Sequence, residues 1–158
     1  MKKIGSIFAA IALCVGLVAT MTSCTEKKDE PAVPAAKSVE GTYTGDMSCS
    51  VMGDDSVFED MTFTVTSIDD ATVSVRISSF GNPPMQVPET NIPGVKVSGT
   101  DGKYTLATTE FSGTTDAGKA YSGTLQGSFE NDKITIRFNL QYGAMPMPMI
   151  CSFTAPKK

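Results

Sequence analysis

Tyr121-Ser122-Gly123-Thr124-Leu125-Gln126-Gly127-Ser128-Phe129-Glu130-Asn131-Asp132-Lys133-Ile134-Thr135-Ile136-Arg137-Phe138-Asn139-Leu140 holds the plainest structural message in the chain. Tyr121, Leu125 and Phe129, with Gly123 and Gly127 between them, alternate with Ser122, Thr124, Gln126 and Ser128. After Asn131-Asp132 the alternation resumes, with Ile134, Ile136, Phe138 and Leu140 set against Thr135, Arg137 and Asn139. A period of two means extended backbone with one buried face and one wet face. Asn and Asp tolerate positive φ and bond their own backbone, so the pair between the runs predicts a tight turn. So short a connection demands an antiparallel neighbour.

The same period runs outward from this hairpin. Tyr43, Met47, Cys49 and Val51 alternate with Thr44, Asp46, Ser48 and Ser50, and Gly45 completes the apolar face. Met61, Phe63 and Val65 alternate with threonines, and Val73, Val75 and Ile77 with Thr72, Ser74, Arg76 and Ser78. Gly53-Asp54-Asp55, Asp69-Asp70 and Gly99-Thr100-Asp101-Gly102 supply turns. Eight strands are predicted, near 41–52, 57–67, 71–80, 90–98, 103–111, 119–130, 132–141 and 147–155. Pro93-Gly94 interrupts the fourth, which suits an edge or a bulge. Gly81–Pro88 and Ser112–Lys119 read as longer loops. No segment of the domain carries a helical period.

An all-β meander of this kind either exposes two edges or closes, and closure is its usual solution. The expected fold is an eight-stranded antiparallel up-and-down barrel, with a two-sheet sandwich as the rival. The Ser- and Thr-rich outer face argues against a membrane-spanning barrel, whose outside must be apolar.

The N-terminal segment is of another kind. Lys2 and Lys3 precede an apolar run, Ile7 to Ala19, of 13 residues. That is short of the roughly 20 needed to span a bilayer and fits a secretory signal. Met21-Thr22-Ser23-Cys24 resembles a lipobox, with Met21 where Leu is usual. It predicts removal of residues 1–23 and lipidation of Cys24, which would hold the chain at a membrane through acyl chains. Residues 24–40 read as a flexible tether, charged at first and then rich in Pro and Ala, and 41–158 as the barrel domain. Lys28-Asp29-Glu30 is similar to a signal that sends Bacteroidota lipoproteins to the outer face of the outer membrane; plain solvation of a linker explains it equally.

Composition narrows the function. Losing Lys2 and Lys3 from 13 basic residues leaves 11 against 17 acidic ones, a net charge near −6. An acidic domain lacks the basic footprint that nucleic acid requires, and it gives no help with anionic lipid heads. The chain has no His and no Trp. Missing His removes the usual general base, the Ser-His-Asp arrangement and the commonest zinc and copper ligand. No catalytic residue, cofactor or metal site is expected.

Gly41-Thr42-Tyr43-Thr44-Gly45, Asp101-Gly102-Lys103-Tyr104-Thr105-Leu106, and Gly123-Thr124-Leu125-Gln126-Gly127 with Lys133-Ile134-Thr135-Ile136 together carry a family likeness. From Gly41 to about Ala155 the chain resembles the calycin-like β-barrel lipoproteins of Gram-negative, Bacteroidota-type bacteria, a lipocalin-related family. The resemblance implies a barrel lipoprotein of the outer membrane. Two features differ from true lipocalins: Tyr43 stands where they carry tryptophan, and no helix follows the last strand.

The candidate sites follow. Cys49 and Cys151 fall in the first and last strands, on the apolar face of each. In a closed barrel they are neighbours and could bond across the seam, which would stabilise the domain by roughly 2–4 kcal/mol. The alternative is two buried thiols acting as small hydrophobes. Tyr43, Met47, Phe63, Val75, Tyr104, Tyr121, Phe138, Met147 and Met149 are expected to point inward. Such a barrel is just wide enough to be filled or to hold one small ligand, and apolar walls with a few polar tips suit a small hydrophobic molecule. Met145, Met147 and Met149 could offer thioethers to Cu(I); flexible filler of an irregular interior is the better account. Asp54, Asp55, Glu59 and Asp60 lack calcium-loop spacing and read as solvated. Asp55-Ser56-Val57 resembles a bacterial O-glycosylation acceptor placed in a turn. The expected function is non-enzymatic binding of a small hydrophobic ligand at a membrane. The alternative is a packed barrel whose loops touch a protein or glycan.

Overall fold

The structure, a computed structural model, describes residues 33–83 and 85–158. The expected signal peptide, Cys24 and the first part of the expected tether lie outside these residues. The unit from Pro34 to Lys158 opens with a short helix, α1 (Ala35–Val39), followed by eight strands: β1 (Gly41–Val51), β2 (Asp54–Asp69), β3 (Thr72–Ile77), β4 (Thr90–Thr100), β5 (Lys103–Thr114), β6 (Ala120–Glu130), β7 (Lys133–Tyr142) and β8 (Met149–Pro156). Each strand pairs antiparallel with its sequence neighbours, and β8 returns to β1, so the sheet is a closed barrel in chain order. The sandwich is excluded.

Bulges let regular alternation close on itself. Opposite Gly45–Met47, β2 carries an extra residue at Glu59-Asp60, with Asp60 at φ 53°. Val73–Val75 faces a second bulge at Pro93-Gly94, where Gly94 has φ 78°. A third falls at Ala107-Thr108. Each bulge bends its strand and swaps which parity faces inward. That is why Ile92, Val95 and Val97 are all buried despite the odd interval between the first two.

The interior is filled. Phe63 stacks on Phe153 with ring centroids 4.0 Å apart, and Phe138 lies against Phe63 at 6.2 Å. Tyr43, Met47, Val75, Leu125 and Ile136 are fully buried around them. Phe111 lies over Gly123, where a Cβ would sit 2.8 Å from Phe111 Cζ. The Asn139 carbonyl oxygen would be nearer still, so the glycine makes room first for the β7 backbone and then for the aromatic ring. At the seam, Met47, Ser48, Cys49 and Ser50 pair with Phe153, Ser152, Cys151 and Ile150. The Cys49 and Cys151 Sγ atoms are at bonding distance, 2.06 Å, with Cα atoms 4.1 Å apart.

Four expectations need correction. The tether does not extend to residue 40. Ala36 and Val39 are buried under the barrel, the Ala36 amide donates to the Asp70 carbonyl at 3.1 Å, and the Lys157 ammonium donates to the Ser38 carbonyl at 3.1 Å. A five-residue helix is too short to show a period, so its two inward residues looked like linker. The last strand starts at Met149, because the prolines at 146 and 148 keep the preceding residues out of the ladder. Ser112–Thr114 continues β5, which leaves a connection of only Thr115–Lys119 and shortens one of the two predicted loops. Asp55-Ser56-Val57 belongs to β2 and not to a turn.

Candidate functional site

The two ends of the barrel differ. At the end where the β2–β3, β4–β5 and β6–β7 turns lie, α1 packs against β2 and β4 with Ala36 and Val39 fully buried, and plugs the opening. There the Tyr43 hydroxyl donates to the Val39 carbonyl at 2.6 Å. Burial, and secondarily the charge of Asp132, push the Tyr43 phenol far above its usual range, so it stays a neutral donor. At the other end the β1–β2, β3–β4, β5–β6 and β7–β8 connections form a mouth.

The long β3–β4 connection folds across that mouth. Phe80 and Val87 exchange backbone hydrogen bonds of 3.0 and 2.8 Å, and both side chains are buried. Phe80 meets Phe58 edge-to-face at 5.2 Å. Across from it, the Gln141 side-chain amide donates to the Met145 carbonyl and fixes the β7–β8 connection. Between these walls lies a groove of about 540 Å³, lined by Cys49, Val51, Phe58, Phe80, Met85, Met145 and Met149, with Ser56 and Asn82 as polar members. No charged side chain belongs to its lining among the described residues. Val51 on its wall pairs with the exposed Asp54, so one acidic residue stands in register with its rim, while Asp55 pairs with Ser50 on the opposite strand parity. The Cys49–Cys151 pair marks the floor, since the next inward pair toward the plugged end is Met47 and Phe153, both fully buried.

The nine expected cavity residues are spread widely. Tyr43, Met47, Phe63, Val75 and Phe138 are consumed by the core. Tyr104 is half-buried against Phe129 at 6.1 Å, and Tyr121 is half-buried near Phe111 at 6.5 Å. Met149 lines the groove. Met147 does not point inward: it precedes β8, so strand parity does not apply to it, and it is 50% exposed. An inner cavity made of these nine is therefore replaced by a groove at the mouth.

Sequence reasoning missed Phe58, Phe80 and Met85. Phe58 has outward parity until the bulge at Glu59-Asp60 reverses it. Phe80 and Met85 lie in a connection without periodicity, and the only sequence signal there was the length of the loop.

The remaining hollows are shallower in chemistry. One of about 460 Å³ on the outer wall of β5–β7 is lined by residues such as Thr105, Gln126 and Arg137, where the Thr108 hydroxyl already donates to the Gln126 side-chain Oε1 at 3.0 Å. Another of about 530 Å³ lies behind the β3–β4 connection, beside Gln86, Asp116 and Tyr142. Among the described residues no group of three His, Cys, Asp or Glu is placed to hold a metal, and no buried side-chain nitrogen or oxygen lacks a hydrogen-bond partner.

Comparison with known proteins agrees with this architecture. No curated protein matches the chain. A crystal structure from Bacteroides fragilis, named as a "putative outer membrane protein", superposes with a TM-score of 0.69 at 25% sequence identity, covering 80% of this chain. The match spans 54% of the other protein's length. Residues 39–155 match the calycin-like beta-barrel domain. A closed eight-stranded meander over that same stretch, plugged at one end and grooved at the other, belongs to the calycin-like β-barrel family.

Proposed function

We propose that this protein is a lipid-anchored, extracytoplasmic barrel that holds a small hydrophobic molecule at its mouth and catalyses no reaction. The groove walled by Phe58, Phe80, Met85, Met145 and Met149 carries the proposal. It has the size and the mostly apolar lining of small-molecule sites, which run from roughly 300 to 1,000 Å³ with few polar groups. Ser56 and Asn82 are the groups that could orient a polar substituent. Its described lining holds no carboxylate, amine or guanidinium, and Cys49 is engaged with Cys151, so the Ser56 hydroxyl has no acid or base beside it within the lining.

Export and lipidation rest on Lys2-Lys3, the apolar run to Ala19 and Met21–Cys24. The outer membrane is the proposed location, supported by the name of the Bacteroides fragilis neighbour. Native mass spectrometry of the protein purified from a Gram-negative host tests the binding. A mass excess over the lipidated chain, lost on denaturation, is the expected result. A bare lipidated chain, unchanged after incubation with a library of apolar metabolites, would overturn it.

A second reading, a protein- or glycan-binding module, is favoured by Met52 and Ile150, which are 74% and 65% exposed and lie outside the groove lining, while Val57, 64% exposed, belongs to that lining. Cross-linking in cells that captures one partner through these three residues would move the assignment there.

A further inference from the structure

The shape and charge of the groove restrict what it can hold. We infer that its occupant is a compact, ring-bearing, uncharged or cationic molecule, and not a fatty acid or another anionic long-chain amphiphile. The inference rests on the proposed binding function and narrows its ligand class.

Two observations carry it. The first is depth. A long acyl chain needs a channel along the barrel axis, and that axis is blocked directly beneath the Cys49–Cys151 floor. Met47 and Phe153 are fully buried there, and Phe153 is stacked on Phe63 at 4.0 Å. A chain could pass only by displacing this stacked pair from a close-packed core. What remains is a short, wide hollow of about 540 Å³. Its walls are an edge-to-face pair, Phe58 and Phe80, and the thioethers of Met85, Met145 and Met149. Aromatic edges and polarisable sulfur both make specific contacts with a ring face; they have no such preference for a methylene chain.

The second is charge. A carboxylate entering the groove meets no Lys or Arg among the described lining residues and finds Asp54 in register with the rim residue Val51. Leaving an anion desolvated beside a like charge is unfavourable, whereas a neutral or cationic molecule meets no such penalty.

Photolabelling of the full lipidated protein in phosphatidylcholine nanodiscs tests this, with peptide mapping of the 80–85 and 145–149 segments. Two probes are compared: a neutral phenyl diazirine and a diazirine-bearing stearic acid. The expected result is saturable labelling of these segments by the phenyl probe, exceeding that by the stearic acid by roughly tenfold, or about 1.4 kcal/mol. Met85→Asp should abolish it; Met85 is 51% exposed, so the fold tolerates the change. Equal or stronger labelling by stearic acid would overturn the ligand class while leaving the site intact. Absence of saturable labelling by both probes would overturn the site itself.

Discussion

At the scale of single residues, position in the barrel decides what a side chain is worth. Phe63 touches both Phe153 and Phe138, and Phe63→Ala should destabilise the fold by about 3–5 kcal/mol. Met147, in the same predicted group, is half exposed, so Met147→Lys should leave stability within about 0.5 kcal/mol of the parent. Urea unfolding of both variants checks the contrast; equal losses would mean that Met147 is in the core after all. Tyr43 is set by a different force. Its hydroxyl satisfies the Val39 carbonyl inside the plugged end. Tyr43→Phe keeps the ring but strands that carbonyl, and should cost about 1–3 kcal/mol while leaving probe binding at the far mouth unchanged.

At the scale of elements, the seam and the plug are the joints that matter. β1 and β8 share a short ladder, reinforced by Cys49 and Cys151 across 102 residues of chain. A cross-link over so long a loop restricts the unfolded chain strongly. The double variant Cys49→Ala, Cys151→Ala should lose about 2–5 kcal/mol, and the parent should lose a similar amount when urea unfolding is repeated in a thiol reductant. An intact mass two hydrogens light, before reduction, accompanies this expectation; a parent insensitive to reductant would contradict it.

The plug has its own signature in pH. Hydrogen bonds from Ser67 and then Lys37 hold the Glu40 carboxyl below its ordinary value of 4.5. A carboxyl depressed in the folded state stabilises it above the unfolded pKa, and that contribution fades as pH falls through the folded value. Glu40→Gln should therefore lower the urea midpoint at pH 7, and the gap to the parent should narrow at pH values below 4.5. A gap independent of pH would mean that the carboxylate charge plays no part in fastening α1.

At the scale of the whole molecule, alternation carried the architecture and geometry carried the site. The runs from Tyr121 to Leu140 and from Met61 to Val65 could only be half-buried antiparallel strands, and eight such strands in chain order could satisfy their edges by closing. Cys49 and Cys151 followed from closure, because it makes the first and last strands neighbours. The groove did not follow. Strand parity marks which residues face inward but not which inward residues fill the core, so Phe63 and Met149 look alike in sequence. The bulge at Glu59-Asp60 reverses parity locally and hid Phe58. Phe80 and Met85 acquire their positions from a β3–β4 connection folded back by the Phe80–Val87 bridge, a contact without a period. α1 escaped for the same reason, being a single turn whose burial depends on the barrel end it covers.

The central claim is that the core is closed and the ligand sits at the mouth. The methionines report on both places at once: Met47 and Met61 are buried in the core, and Met85, Met145 and Met149 line the groove. The decisive measurement is a titration of the protein, labelled with ¹³C at its methionine methyls, with the neutral aromatic probe N-phenyl-1-naphthylamine. The account predicts saturable shifts of the Met85, Met145 and Met149 methyls while those of Met47 and Met61 hold still. Shifts led by Met47 and Met61 would contradict it and place the ligand inside the barrel.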